Sequence, residues 1–158
     1  MIEVYLNLFV GNDRECFRGE TNEWAVVHAC KSPCHQNTVG YKGSLPSSHP
    51  NYLIYEKPNH LFLNIIDPPV PLFQPQLFTK SLDFIDYHVK SRKVLVHCND
   101  GFSRAPSIAL LFLAKKAKKI NNESFEQAAI DFKKLYKYYQ PSRGITIYLN
   151  QNWTVFDT

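Results

Sequence analysis

Cys98 and Arg104 stand at the two ends of the stretch His97-Cys98-Asn99-Asp100-Gly101-Phe102-Ser103-Arg104, with the apolar run Val94-Leu95-Val96 before it and Pro106 shortly after. An apolar, β-branched run reads as a buried strand, and proline in the first turn of a helix leaves no N–H unpaired, so a strand passes through a short loop into a helix. Such a loop makes an anion cradle. Its backbone N–H groups converge on one point, the helix N-terminus adds partial positive charge, and the Arg104 guanidinium offers a planar fork to two oxygens of a phosphate. Asn99, Asp100, Gly101, Phe102, Ser103 and Arg104 are therefore the candidate phosphate-binding residues, and Gly101 gives the loop room to turn its amides inward. Cys98 lies at the base of the cradle, where the same field favours its thiolate, the nucleophilic form.

The elements that must position this loop can be read from hydrophobic periodicity. Besides Lys93 to His97, strand candidates are Val4 to Val10, Trp24 to Ala29, Tyr52 to Tyr55 and Leu61 to Ile66. Leu77, Phe78, Leu82, Ile85 and Val89 share one face of a helix from about Gln74 to Ser91, and Ile108 to Ala114 is apolar all round, the mark of a central helix. Ser124-Phe125-Glu126-Gln127 reads as a capping box opening a helix that keeps its spacing through Tyr136 and Tyr139 until Pro141; a short helix from Gly144 to about Trp153 follows. The polar stretch Lys31 to Pro50 reads as a long surface loop. The pattern predicts an α/β layer fold, a central and mostly parallel sheet of about five strands flanked by helices, in a single domain over 1–158.

Composition narrows the function classes. With 158 residues, 44% hydrophobic and 20% charged, the chain holds one substantial core and is neither a multidomain machine nor a disordered segment. No apolar run approaches the length of a membrane span and no leader pattern opens the chain, so a soluble, cytoplasmic protein without membrane contact is expected. The net charge of +4 is uneven: residues 115–158 carry 8 basic and 4 acidic side chains, against 5 and 7 in residues 1–70. That excess favours anionic substrates, but it lacks the dense basic patch of a nucleic-acid binder. Four cysteines in a chain of this size are expected to be reduced thiols.

The His97-Cys98 pair, the five intervening residues and Arg104, with Ser103-Arg104-Ala105-Pro106-Ser107 as its flank, resemble the signature of the cysteine-dependent protein tyrosine phosphatases, in particular the small dual-specificity branch, and the terminal Gly144-Ile145 and Asn152-Trp153 resemble its compact bacterial and phage members. The resemblance implies a three-layer phosphatase fold and hydrolysis of phosphotyrosine and phosphoserine or phosphothreonine through a phosphocysteine, with no metal or other cofactor. It also implies a general acid on a separate loop. Asp67, after the strand Leu61 to Ile66 and before the helix that precedes the Cys98 strand, is the candidate. His97 is expected to orient the loop through hydrogen bonds, and Cys30, at the end of the strand Trp24 to Ala29, is a candidate redox partner of Cys98. Where the family usually has Ser or Thr after the arginine this chain has Ala105, so a catalytically weak phospho-binding module is an alternative. A phosphorylated protein is the expected partner of a monomer. Gly101-Phe102 resembles the loop of RNA 5′-phosphatases, which makes an RNA 5′ end a second substrate class, whereas Asp100 in place of a loop lysine argues against phosphoinositides.

A rhodanese-like sulfurtransferase also sets a cysteine under an amide loop, but Arg104 and the separate Asp67 favour the phosphatase. His28, Cys30, Cys34 and His35 contain zinc-ligand types without a second well-spaced pair, and are read as ordinary loop residues. Lys115, Lys116, Lys118 and Lys119 are read as a solvated helix end.

Overall fold

The strand that carries Cys98 is apolar on both faces and lies inside the sheet. In the computed structural model, which describes residues 1–17 and 21–157, β6 (Lys93–His97) has neighbours on both sides in the order β1-β2-β6-β3-β5-β4. The other strands are β1 (Ile2–Tyr5), β2 (Leu8–Gly11), β3 (Trp24–His28), β4 (Ile54–Lys57) and β5 (His60–Leu63). The four inner strands run parallel, and β1 and β4 are antiparallel edges. Val94, Leu95 and Val96 have no exposed surface, and burying each contributes about 1.5–3 kcal/mol.

The sheet thus has six strands rather than about five and is mixed, with a parallel centre. The extra strand comes from Val4 to Val10, which folds as a hairpin instead of a single strand. Leu6 and Asn7 form its tip, and Asn7 takes φ +67, a left-handed conformation that asparagine tolerates. The apolar Leu6 hides this turn from a hydrophobicity pattern.

The helices are α1 (Gln36–Val39), α2 (Pro75–His88), α3 (Arg104–Leu111), α4 (Phe125–Leu135) and α5 (Arg143–Gln151). The stretch read as an open loop after β3 instead holds a wide turn at Lys31–His35 and the short α1. Every residue of α3 is buried, as its uniform apolarity requires. Ser124 caps α4, its hydroxyl accepting the Gln127 N–H at 3.1 Å, but the helix ends at Leu135 rather than near Pro141. Tyr136 is extended, and it and Tyr139 turn inward toward the Cys98 loop. The lysines after α3 are not uniformly solvated. Lys115 is 1% exposed, bonds Asp157 at 2.6 Å and lies 4.0 Å from the Trp153 ring centre, because α3 continues through the turn Phe112–Lys116 under the C-terminal segment. No helix among the described residues is long and apolar enough to cross a membrane.

Candidate active site

The loop from Cys98 to Arg104 leaves the C-terminal end of β6 in mid-sheet and enters α3, and each end is held by named contacts. Gly101 has φ +80, and a Cβ there would press on the Gly11 carbonyl and the Tyr136 hydroxyl, so glycine is required for both conformation and space. The Tyr136 hydroxyl donates to the Gly101 carbonyl at 2.7 Å; burial, helped by the nearby Cys98 and Asp100, pushes its pKa up to about 12 and keeps it a donor. Gln140 N–H donates to the Phe102 carbonyl at 2.8 Å, and the Ser107 and Tyr139 hydroxyls share a buried 2.8 Å bond. The residues after α4 therefore brace the loop from behind.

Cys98 has no exposed surface. Two opposing influences act on its thiol. Burial pushes the pKa up and dominates, while the Ala105 and Gly101 amides and the Arg104 guanidinium pull it down. The cradle field expected from the sequence is thus present but outweighed by desolvation. Asp100 adds to the upward push. It is solvent-exposed, yet its Oδ1 turns back to accept the Phe102 N–H at 2.9 Å and lies 3.9 Å from Cys98 Sγ.

Arg104 is 8% exposed. Nη1 donates to the Ile65 carbonyl at 3.2 Å and Nη2 to Asn99 Oδ1 at 2.7 Å, whereas Nε is buried with no partner among the described residues. A buried, unpartnered N–H on a cation calls for an anionic acceptor. Asn99 does more than line the loop. Its amide nitrogen donates to the Ser32 carbonyl at 2.8 Å and Asp13 Oδ2 at 3.2 Å, so it aims the guanidinium and ties the loop to the two neighbouring connections.

Asp67 is half-buried and accepts the Ser142 hydroxyl at 2.5 Å. Ser142 caps α5, receiving Ile145 N–H at 3.2 Å, and its own N–H donates to Ser103 Oγ at 2.8 Å. One residue thereby links the phosphate loop to the proposed acid. Gly144 makes the approach feasible, since a Cβ there would fall on the Pro68 and Val70 carbonyls. Ser142 escaped the sequence reading, although a serine before the amphipathic Gly144 segment is an N-cap signal.

Ala105 is fully buried. Neither neighbouring hydroxyl is idle: Ser103 Oγ is held by Ser142 and Ser107 by Tyr139. Phe102 is 41% exposed beside a groove of about 670 Å³ lined also by Asp13, Arg14, Asp100 and Tyr138.

His97 lies behind the loop. Its Nδ1 approaches the Cys98 carbonyl at 3.3 Å and its Nε2 lies 2.8 Å from His28 Nδ1, a hydrogen-bonded placement that fits an orienting role. Cys30 is buried and hydrogen-bonded with Cys34; that bond, with burial, pushes its thiol up, while hydrogen bonds from Cys16 and Cys30 pull Cys34 down. The four residues grouped in the sequence separate. His35 bonds Tyr41 and the Asn51 carbonyl, whereas His28 and Cys34 join Cys16 and His97.

No family model matches this chain, and no curated protein does either. Solved structures do. Human tyrosine phosphatase-like serine/threonine/tyrosine-interacting protein matches with a TM-score of 0.67 at 18% identity, over 98% of this chain and 95% of that one. Human DUSP28 matches with 0.67 at 16%, over 97% and 94%, and the Yvh1 phosphatase domain from Chaetomium thermophilum with 0.61 at 19%, over 98% and 94%. The chain has the fold of the dual-specificity phosphatases, as the signature loop led one to expect.

Proposed function

We propose that the protein is a phosphomonoesterase acting on phosphorylated tyrosine, serine or threonine in proteins. The observation that carries this reading is the convergence on Cys98 Sγ of the Ala105 and Gly101 amides and the Arg104 guanidinium, whose buried Nε has no partner among the described residues. The cradle holds the non-bridging oxygens while the Cys98 thiolate attacks phosphorus and the ester P–O bond breaks. The Asp67 carboxyl gives its proton to the leaving oxygen. Its carboxylate then takes a proton from the water that breaks the P–S bond, and the thiolate leaves. The groove beside Phe102 and Tyr138 suits an aromatic side chain on a peptide, and its mixed charges, Arg14 with Asp13 and Asp100, do not suit a polyanion. Cys30, whose thiol is hydrogen-bonded with Cys34, is the proposed redox partner of Cys98.

Steady-state hydrolysis of an aryl phosphate, a phosphopeptide panel and 5′-phosphorylated RNA tests the reading. Vanadate should inhibit and Cys98→Ser should abolish turnover; full activity in that variant rejects the mechanism, and a preference for the RNA end reassigns the substrate. Ala105 favours one further reading, a module that binds phosphopeptides with little turnover. Without a hydroxyl to stabilise the departing thiolate, phosphocysteine hydrolysis should be slower than its formation. Rapid mixing should then show a burst that Ala105→Ser diminishes, whereas phosphopeptide binding with no burst supports the binding module.

A further inference from the structure

His97 joins a second cluster that the phosphatase reading does not use. Cys16 Sγ, His28 Nδ1, Cys34 Sγ and His97 Nε2 all lie within 4.8 Å of one another. They come from the connection after β2, from β3, from the turn at Lys31–His35 and from the end of β6. We propose that these four side chains form a tetrahedral Cys2His2 zinc site that fixes the connections around the Cys98 loop. The proposal is independent of what the loop hydrolyses.

The donor set is that of closed structural zinc sites, two thiolates and two imidazoles. Zinc–sulfur bonds of about 2.3 Å and zinc–nitrogen bonds of about 2.0–2.1 Å give a tetrahedron with S–S edges of about 3.8 Å, S–N edges of about 3.5 Å and an N–N edge of about 3.3 Å. The structure has Cys16 Sγ to Cys34 Sγ at 3.8 Å, Cys16 Sγ to His28 Nδ1 at 3.4 Å and Cys34 Sγ to His97 Nε2 at 3.9 Å. The His28 to His97 nitrogen distance, 2.8 Å, must open by about half an ångström, and the remaining two donor pairs lie within 4.8 Å.

The outward sides of both rings are equally suited. A ligating histidine donates its other N–H to a fixed acceptor, which sets the tautomer and leaves the ligating nitrogen bare. His28 Nε2 lies 2.9 Å from His60 Nδ1, and His97 Nδ1 lies 3.3 Å from the Cys98 carbonyl. Three of the four ligands are buried and Cys16 is half-buried, so the polyhedron has little room for a water ligand. Binding converts the thiols to thiolates and releases their protons. The bond from His97 to the Cys98 carbonyl would then couple the metal to the backbone of the nucleophile.

The test starts from full-length protein purified without chelator, with bound metal measured by mass spectrometry; one zinc per chain is expected. Protein stripped with chelator under reducing conditions is then titrated with cobalt(II). The expected spectrum has intense tetrahedral ligand-field bands and thiolate-to-cobalt charge transfer, both abolished by zinc. Cys16→Ser should lose stoichiometric binding and the charge-transfer band, whereas Cys98→Ser should keep both. Should Cys16→Ser fail to fold, the wild-type titration decides alone. Absence of a tetrahedral thiolate spectrum overturns the proposal, as does its loss in Cys98→Ser, or a Cys16–Cys34 disulfide in protein kept under reducing conditions.

Discussion

At the scale of single residues, the groups proposed to bind phosphate are held differently from the one proposed to transfer a proton. Arg104 and Asn99 are locked to each other at 2.7 Å, which fixes the guanidinium. Asp67 accepts a hydrogen bond from Ser142 Oγ, and a carboxyl so placed is free to serve as the proposed proton donor. Asp67→Asn keeps the shape and removes the proton. Turnover of phosphoserine peptides should fall about 10²–10⁴-fold, and that of an activated aryl phosphate far less, because only the poor leaving group needs protonation in the transition state. A leaving-group series in both proteins checks this, and equal losses across the series would make Asp67 a structural residue.

At the scale of elements, the position of Asp67 depends on how closely α5 can approach its loop. Ser142 bridges Ser103 and Asp67, and Gly144 packs its backbone against the Pro68 and Val70 carbonyls. Gly144→Ala forces these backbones apart and should cost about 1–3 kcal/mol of stability. It should lower turnover of phosphoserine substrates while leaving vanadate affinity near the wild-type value, since Arg104 and the loop amides are not displaced. Urea melts with paired inhibition and turnover assays separate the two effects; parallel loss of vanadate affinity would mean that α5 supports the whole cradle. The loop itself was legible in the sequence because Cys98, Gly101, Arg104 and Pro106 are neighbours in the chain. Ser142 was not, because its partners Ser103 and Asp67 are brought to it only when α5 packs. Tyr136 and Tyr139 kept helical spacing and were read as continuing α4, while in the fold their hydroxyls bond the Gly101 carbonyl and Ser107. Cys16 and His97 gave no zinc-type spacing with His28 and Cys34, since the four meet only where three parallel strands end at one edge of the sheet.

At the scale of the whole molecule, several polar groups are buried, and the pH dependence of stability follows from which protonation state burial favours. His88, 5% exposed on α2 and packed 4.3 Å from the Phe84 ring, belongs to neither the active loop nor the cysteine cluster. Burial holds its pKa below the ordinary value and the Arg92 charge adds to this, while a bond to the Pro58 carbonyl and the Glu56 charge oppose it. The folded protein therefore keeps His88 neutral at pH values where the unfolded chain, with a pKa of about 6.5, already takes up the proton. More protons are bound in the unfolded state, so stability is full above about pH 6.5 and is lost as pH falls through that value toward the lowered pKa of the fold. Urea midpoints should fall between about pH 7.5 and about pH 5.5, and the fall should be smaller in His88→Phe, which keeps the aromatic contact and removes the titrating group. His35, also lowered by burial, keeps part of the slope in that variant. An unchanged slope in His88→Phe would show that His88 accepts its proton in the folded protein as readily as in the unfolded chain.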